Sequence, residues 1–234
     1  MSAFTWFTGR GPALTQQQLE RRRQLSDPAE LDERSLRQQR FVVLDLETSG
    51  LNLRRDQVLS IGAVVIGQGA IDLSQQFECT LLREGHRASA STLIHGIAPS
   101  EIANGVEPVE ALLNFMEFVG DSPLLAFHAK FDQLMLARAL KQSLGYRLQH
   151  AFFDVAEIAP LLCPKAKLGH AGLDDWTQYF DLQVQQRHHA SADALVTAEL
   201  ALILFSKARQ QDLDSLPALL QQLNSRRRQR AHSM

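Results

Sequence analysis

The sequence has little cysteine and almost no net charge. Its two cysteines among 234 residues, Cys79 and Cys163, stand far apart and form neither a CxxC motif nor a Cys/His spacing typical of zinc sites. A disulfide framework and a zinc site are therefore not expected, and a reducing compartment is favoured. The net charge of -2 gives no general attraction to nucleic acids or membranes, so any such attraction must be local.

The sequence also lacks long apolar runs and internal repeats. No stretch is long enough to cross a bilayer, and the first residues, despite Trp6 and Phe7, lack the continuous apolar segment of a signal peptide. No membrane contact is expected, and a cytoplasmic location is favoured. Hydrophobic residues make up 45% and charged residues 21%, a balance typical of a folded protein. The length favours one domain with appendages.

Apolar runs and turn residues in the middle of the chain predict an α/β fold. Strands are expected over residues 41–44, 58–66 and 76–82, with a turn at residues 67–69, and short connections make them antiparallel neighbours. Helical spacing then alternates with two more strands. The prediction is a mixed five-stranded sheet, three antiparallel strands followed by β-α-β units, with helices on both faces. The later elements are expected as helices over 106–120, 131–143, 155–162, 173–180 and 193–208 and strands over 124–127 and 152–154.

Both ends of the chain are predicted to be appendages of a central domain over residues 41–208. Residues 1–40 form a helical arm, with Thr15 as a helix N-cap and Asp27-Pro28 opening a second helical stretch. This arm is either a solvated surface or a docking segment for a partner. Residues 209–234 form a helical, basic tail. Its arginines are either solvated or in contact with phosphates, and they are Arg226, Arg227, Arg228 and Arg230.

Two acids follow the first predicted strand, in the stretch FVVLDLETSG. Asp45 and Glu47 are two residues apart, so their side chains project from the same face of a strand. The carboxyl end of a central strand is where open α/β sheets form ligand crevices. Two neighbouring carboxylates repel unless a proton or a cation neutralises them, and Mg²⁺ and Mn²⁺ prefer oxygen ligands. The alternative is a strand that ends in an ordinary polar turn.

Two further acids stand at comparable points. Asp132 opens a helix directly after the fourth predicted strand, and Asp193 lies at the start of a long apolar helix in RHHASADALVTAEL. Taken alone, Asp132 has the alternative role of a favourable charge in a first helical turn. Taken alone, Asp193 is unremarkable at its position. Together, however, these two acids favour the metal-binding interpretation of Asp45 and Glu47 over the ordinary polar turn.

The acids lie in motifs that resemble a known family. DLET at residues 45–48, FHAKFD ending in Asp132, and HHASAD ending in Asp193 resemble the three motifs of the DEDDh, or DnaQ-like, 3′→5′ exonucleases, in the DNA polymerase III epsilon-like branch. The resemblance extends over residues 41–205 and includes VLSIGAVVI, IHGI and FFDV. It implies a ribonuclease H-like fold and makes residues 41–208 the exonuclease domain.

By this resemblance the four acids are both catalytic and metal-binding. Asp45, Glu47, Asp132 and Asp193 would hold two divalent ions, Mg²⁺ or Mn²⁺, on which the phosphodiester is cleaved. The family places a histidine five residues before the last aspartate. This spacing selects His188, rather than its neighbour His189, as the catalytic general base, and imidazole suits that task because its ordinary pKa lies near neutrality.

The resemblance also implies a set of substrate-binding residues and contains one departure. Relatives usually have His-Asn before the alanine of the second motif, whereas this chain has Phe127-His128, so substrate handling there is expected to differ. For His95 and Phe131 the alternative role is ordinary packing. The residues expected around the terminal nucleotide are Thr48, Ser49, Gly50, Leu51, His95 and Phe131.

The function implied is metal-dependent removal of nucleoside 5′-monophosphates from single-stranded or frayed 3′ ends, with DNA favoured and proofreading or repair as the context. A DNA polymerase subunit is the expected partner. One alternative is an RNA-trimming exoribonuclease of the ribonuclease T type. Another is an adaptor subunit that docks a polymerase through the terminal segments. The sequence leaves the oligomeric state open.

Overall fold

Five strands form one mixed sheet in the order β3-β2-β1-β4-β5. In this computed structural model, which describes residues 14–85, 95–169, 171–184 and 188–232, the strands are β1 (Phe41–Thr48), β2 (Val58–Gly67), β3 (Ala70–Thr80), β4 (Leu124–Ala126) and β5 (Phe152–Asp154). The first three are antiparallel, and β4 and β5 are parallel to β1. The predicted α/β class and mixed five-stranded sheet are confirmed.

Eight α-helices in the described part of the chain surround the sheet. They are α1 (Gln16–Gln24), α2 (Pro99–Ala103), α3 (Pro108–Val119), α4 (Ala129–Leu144), α5 (Val155–Leu162), α6 (Leu173–Tyr179), α7 (Ala190–Arg209) and α8 (Leu216–His232). A short 3₁₀ turn, Pro164–Ala166, follows α5. Within the described ranges, no helix is both long enough and apolar enough to span a membrane.

The sheet separates two apolar layers, because successive side chains of a strand point to opposite faces. On β1, Phe41 and Val43 belong to the layer that includes α5, α6, α7 and α8. Val42 and Leu44 belong to the layer that includes α3 and α4. Burial on both faces explains the continuous apolar run at the start of β1. It also leaves the carboxyl end of β1 as the point where polar side chains reach a crevice.

The turn between β2 and β3 matches its prediction. Gln68 and Gly69 both have positive φ, 53° and 73°, as a two-residue hairpin loop with a primed turn requires. The strand that follows begins at Ala70, earlier than predicted, because residues 70–72 already pair with β2, and after a register irregularity the pairing resumes at Gln76.

The prediction of a second helix at Asp27-Pro28 is wrong. Residues 26–32 have no helical structure, and the backbone NH of Ala29 donates to the carbonyl of Asp121 at 2.9 Å. Leu36, a few residues later, is buried in the first apolar layer. Contacts with the domain therefore hold this segment in a non-helical conformation, and they override a local sequence that could start a helix.

Candidate active site

Asp45 and Glu47 project together from the carboxyl end of β1. In the pairing with β2, Asp45 stands opposite Gly62 and Glu47 opposite Ser60, and a bulge follows between Glu47 and Thr48. Both acids are half-buried, whereas Leu46 between them projects from the opposite face of the strand and is buried. The two-residue alternation of a strand thus places both carboxylates in the crevice, as predicted.

Gly62 brings the third acid to the same place. A Cβ at this position would lie 2.1 Å from the carbonyl carbon of Ala190 and 2.1 Å from the backbone nitrogen of Ser191. Only glycine therefore lets the first turn of α7 lie directly on β2. Asp193 belongs to that first turn. Sequence reasoning overlooked Gly62, although a glycine inside an apolar strand is a signal of close backbone approach.

Oxygens from three of the acids form a compact group. One carboxylate oxygen each from Asp45, Glu47 and Asp193 lies within 4.8 Å of the other two. Asp193 is buried, and its Oδ2 accepts a hydrogen bond from the backbone NH of His188 at 3.0 Å. Three hard oxygen donors at this spacing fit a divalent cation such as Mg²⁺ or Mn²⁺.

Asp132 lies beside this group in the first turn of α4 and is buried. The pKa of its carboxyl is raised to about 7, mainly by burial and in smaller part by the nearby charges of Asp154 and Glu47. Hydrogen bonds from the backbone NH groups of Asp132 and Leu46 act in the opposite direction. A buried acid next to other acids favours either a proton or a cation. Asp132 is thus suited to be a fourth ligand.

Asp154 is a fifth acid at this edge, and sequence reasoning gave it no role. It caps α5, and its Oδ1 accepts hydrogen bonds from the backbone NH groups of Ala156 at 2.9 Å and His128 at 3.0 Å. Burial raises the pKa of the Asp154 carboxyl as well. The contact with His128 holds the turn into α4, and so it helps to position Asp132. Asp132 was found in the sequence because it follows a parallel strand directly. Asp154, at the carboxyl end of the next parallel strand, could have been found in the same way.

The two adjacent histidines differ in their surroundings. His189 contacts Glu78 of β3 at 3.3 Å through Nε2 and the Oγ of Ser191 at 3.0 Å through Nδ1. His188 is exposed and has a φ of 62°, in the left-handed region. Its backbone is tied to Asp193 while its ring remains accessible to solvent. Accessibility next to the carboxylates is what a general base for water requires.

A match to a known protein family identifies the class of protein that contains this site. Residues 42–201 match the family described as "RNase_T: Exonuclease", which covers more than half of the chain. The chain belongs to this exonuclease family. The DnaQ-like resemblance of the three acidic motifs is thereby confirmed.

The exonuclease family member is similar to much longer proteins. It is 28% identical over 205 residues to the "DNA polymerase III PolC-type" of Bacillus subtilis (strain 168), covering 85% of this chain and 14% of that protein. It is 33% identical over 163 residues to the protein of the same name from Thermotoga maritima, covering 69% of this chain and 12% of the relative. The chain therefore spans a small fraction of the length of these curated relatives.

Solved structures share the fold of the exonuclease domain. A structure of E. coli exonuclease I in complex with a dA16 oligonucleotide superposes with a TM-score of 0.61 at 18% identity, covering 75% of this chain and 42% of that one. Exonuclease X in complex with 5′ overhanging duplex DNA superposes with a TM-score of 0.60 at 17% identity, covering 76% of this chain and 99% of that one.

In this exonuclease domain the predicted terminal-nucleotide residues of motif one form a loop held by Asp56. Thr48 is buried and donates through Oγ1 to the carbonyl of Gly50 at 2.9 Å. Asp56 accepts from the hydroxyl of Ser49 at 3.3 Å and from the backbone NH of Asn52 at 2.7 Å. A Cβ on Gly50 would lie 2.5 Å from the Asp56 carboxylate. The ordered loop leaves the side chain of Leu51 83% exposed.

Two other predicted substrate residues are packed inside the exonuclease domain. His95 is buried, and its Nδ1 accepts from the backbone NH of Ile97 at 3.1 Å, so a neutral ring carries its proton on Nε2. Phe131 is partly buried against the apolar layer of α3 and α4. This packing is the alternative role considered for Phe131, and any substrate contact of these two residues stays a prediction.

The departure at Phe127-His128 has a structural counterpart. Phe127 is buried in the first apolar layer and lies edge-on to the exposed ring of His128, with 4.8 Å between the ring centres. His128 has a φ of 60° and precedes the first residue of α4. Its backbone NH, bonded to Asp154, anchors the turn. The turn is therefore held by backbone and carboxylate, which leaves the imidazole of His128 on the surface.

Proposed function

We propose that this chain is a metal-dependent 3′→5′ exonuclease that releases nucleoside 5′-monophosphates from single-stranded or frayed 3′ ends of DNA. The observation that carries the proposal is the group of Asp45, Glu47 and Asp193 oxygens within 4.8 Å of one another, with buried Asp132 beside it. Membership of the exonuclease family supports the same conclusion.

The chemistry of the donors fits two divalent ions. Neighbouring carboxylates repel each other unless a cation lies between them, and burial, with the charges of Asp154 and Glu47, raises the pKa of Asp132 to about 7, so that ionising this acid is costly without a cation. Asp45, Glu47, Asp132 and Asp193 would hold the ions, Mg²⁺ or Mn²⁺. When bound, such a pair lowers the pKa of water and neutralises the charge of the cleaved phosphodiester.

His188 is proposed as the general base. Its exposed imidazole would take the proton of the attacking water and later release it to solvent, and its backbone contact with Asp193 keeps it at the edge of the acidic group. His189 is held by Glu78 and Ser191 and is therefore less able to reach the water.

Substrate selection is assigned to the loop after β1. The backbone at Gly50 can approach a nucleotide closely, and the exposed Leu51 can pack on the last base, while Thr48 and Ser49 keep the loop ordered. His95 and Phe131 are proposed to border the sugar and base. A crevice of this kind accepts a single unpaired terminus, so a duplex must fray before it is cut.

DNA is favoured over RNA because the relatives carry the name DNA polymerase III PolC-type and the structural neighbours include complexes with DNA. The same relatives support association with a DNA polymerase, in proofreading or repair.

The test is a time course on a 5′-labelled 20-nucleotide strand with Mg²⁺, Mn²⁺ or EDTA. The expected result is a ladder that shortens one nucleotide at a time, nucleoside 5′-monophosphate as product, and no cleavage with EDTA. Asp45→Ala should lower the rate about 100-fold or more while the protein still folds and unfolds cooperatively, since even partners of metal ligands commonly contribute 10- to 100-fold. An RNA strand of the same sequence measures the preference, and faster cleavage of RNA would overturn the DNA assignment.

A further inference from the structure

A surface next to the acidic crevice combines exposed leucines with basic residues. The loop between β1 and β2 makes a tight turn in which the carbonyl and side chain of Asn52 accept from the backbone NH groups of Arg54, Arg55 and Asp56. This turn leaves the side chains of Arg54 and Arg55 exposed, and the same loop exposes Leu51. Six large hydrophobic side chains are notably exposed in the described part of the chain, and two of them, Leu51 and Leu53, belong to this loop.

Helix α4 continues this surface away from the acids. Lys130, Leu134, Arg138 and Lys141 follow one another at spacings of four, four and three residues, which places them on one face of the helix. Met135, Leu136 and Leu140 on the opposite face are buried. Because Asp132 lies in the first turn of α4, this row of side chains starts at the same end of the helix as the acidic group, and it extends about 16 Å along the helix at 1.5 Å per residue.

The loop and the helix are in direct contact. The guanidinium of Arg138 donates through Nη1 to the carbonyl of Leu53, directly before Arg54 and Arg55. A further arginine, Arg83, donates through Nε and Nη2 to the carbonyl of Val58, which stands opposite Thr48 in the sheet. Burial lowers the pKa of the Arg83 guanidinium, and the charge of Arg138 lowers it further. Positive charge is thus concentrated beside the first acidic motif.

This concentration is unusual for the chain, whose net charge is -2. Within α4 the sole acid is Asp132, at the crevice, and in residues 49–57 the sole acid is Asp56, whose carboxylate is bonded to Ser49 and Asn52. The basic side chains of the loop and of α4 can therefore attract a polyanionic strand without acidic neighbours to offset that attraction. Arginine and lysine bind phosphates, and leucines pack against sugars and bases.

We propose that Arg54, Arg55, Lys130, Leu134, Arg138 and Lys141, here named the basic patch, bind the sugar-phosphate backbone of the nucleotides on the 5′ side of the one being removed. The inference rests on the proposed exonuclease function and extends it from the terminal nucleotide to the rest of the strand. The contacts are to phosphates, so they are independent of base sequence. The patch makes the enzyme prefer oligonucleotides over single nucleotides and makes that preference sensitive to salt.

The test compares two substrates that differ in what lies beyond the terminal nucleotide. The p-nitrophenyl ester of thymidine 5′-monophosphate reaches the acidic crevice alone, whereas a 20-nucleotide oligothymidylate also reaches the patch. In the variant Arg54→Gln/Arg55→Gln/Lys141→Gln, the ratio of kcat/KM for the oligonucleotide to kcat/KM for the ester should fall about tenfold or more. The slope of log KM against log salt concentration should become shallower by about 0.7 for each lost phosphate contact.

A matched control removes three exposed charges elsewhere, Arg23→Gln/Arg147→Gln/Lys165→Gln. These residues lie on α1 and beyond the C-terminal ends of α4 and α5, away from the first turn of α4. The control should keep the wild-type ratio and slope. The proposal is contradicted if the ratio of kcat/KM for the oligonucleotide to kcat/KM for the ester is the same in all three proteins. It is also contradicted if this ratio falls equally in the patch variant and the control variant.

A binding measurement separates this inference from the function on which it rests. Fluorescence anisotropy of a labelled oligonucleotide measures binding without cleavage when each protein also carries Asp45→Ala and EDTA is present. The patch variant should then bind the oligonucleotide more weakly than the protein with the wild-type patch, and the control variant should bind it as tightly as that protein does. If the wild type cleaves neither substrate, the proposed function fails. If it cleaves both and the patch variant binds the oligonucleotide as tightly as the control does, the patch fails while the exonuclease stands.

Discussion

At the residue scale, two local structural features place the four acids of the site. Strand alternation projects Asp45 and Glu47 into the crevice. Asp193 and Asp132 instead occupy first turns of helices, where a negative charge interacts favourably with the backbone NH groups. This favourable position offsets part of the repulsion among the acids, and a bound cation would offset the remainder.

Asp132 should couple divalent-ion binding to pH. Its pKa of about 7 lies above the value in an unfolded chain, so the ion-free protein holds a proton there below pH 7. The stability that this proton contributes is complete below the unfolded pKa and is lost as pH rises through about 7. At pH 6 a cation must displace the proton from the Asp132 carboxyl, which weakens its binding. At pH 8 this carboxyl is already ionised, so no proton has to be displaced. We therefore expect MgCl₂ to raise the melting temperature more at pH 8 than at pH 6.

Scanning fluorimetry at both pH values, with and without MgCl₂, measures this difference. Asp132→Asn cannot exchange the proton, so its Mg²⁺-dependent shift should vary less with pH than that of the wild type. Equal Mg²⁺ shifts at pH 6 and pH 8 in the wild type would contradict the coupling.

His188 and His189 provide a matched pair for the general base. His188→Asn should lower kcat by about 10²- to 10⁴-fold, the usual contribution of a positioned base. Asparagine suits this position because it tolerates the left-handed backbone found at φ 62°. The Mg²⁺-dependent rise in melting temperature should persist, because the carboxylates are intact. His189→Asn should lose far less activity. A larger loss in His189→Asn than in His188→Asn would reverse the assignment.

At the scale of elements, the site depends on how closely α7 approaches the sheet. The helix has apolar residues around most of its circumference and packs against β1 and β2. Its first turn lies on the backbone of β2 at Gly62, one strand away from the acid pair of β1. A change of a few tenths of an ångström in this contact moves Asp193 relative to Asp45 and Glu47.

Gly62→Ala should separate the acids. The added methyl would meet the backbone of Ala190 and Ser191, which is not a flexible side chain and cannot move aside cheaply. We expect a loss of about 1–3 kcal/mol in the free energy of unfolding from overpacking, and a fall of tenfold or more in kcat. Gly67→Ala in the same strand is the control, because the nearest atom to its new methyl group would be Val65 Cγ1 at 4.0 Å. Denaturant unfolding and nuclease assays measure both effects, and full activity in Gly62→Ala would refute the role of this contact.

The elements differ in how well their sequences predict them. The strands β1 and β2 and the helices α3, α5 and α7 were predicted from apolar spacing, because each buries a regular pattern of side chains. The conformation of the segment after α1 was not predicted, because it depends on distant partners such as Asp121. The acids were found from strand ends and motif spacing. Gly62 and Asp154 were overlooked because their roles depend on what the fold brings against them.

At the scale of the whole molecule, the two terminal segments meet each other on the domain. Ser35 and Ser215 form a β-bridge, the backbone NH of Leu36 donates to the carbonyl of Asp214, and the Ser215 hydroxyl donates to Glu33 at 2.6 Å. At the other side, Arg21 of α1 binds Glu110 and Glu117 of α3. The boundaries proposed at residues 40 and 208 stay a prediction, and the contacts across them are testable.

Helix α8 should contribute to the stability of the domain, although the sequence also allowed a solvated tail. Leu216, Leu219 and Leu223 recur at helical spacing and are buried in the same apolar layer as α7. Leu219 is 0% exposed, so Leu219→Ala should lower the free energy of unfolding by about 2–4 kcal/mol, the usual cost of a cavity at a buried leucine. Gln222→Ala, at an exposed position of the same helix, should stay within about 0.5 kcal/mol of wild type. Urea unfolding monitored by the fluorescence of Trp176, which belongs to that layer, measures both. If the two variants have the same free energy of unfolding, α8 is not part of the cooperatively folded unit. If Leu219→Ala is destabilised as expected and keeps its nuclease activity at 25 °C, α8 stabilises the fold and takes no part in the chemistry.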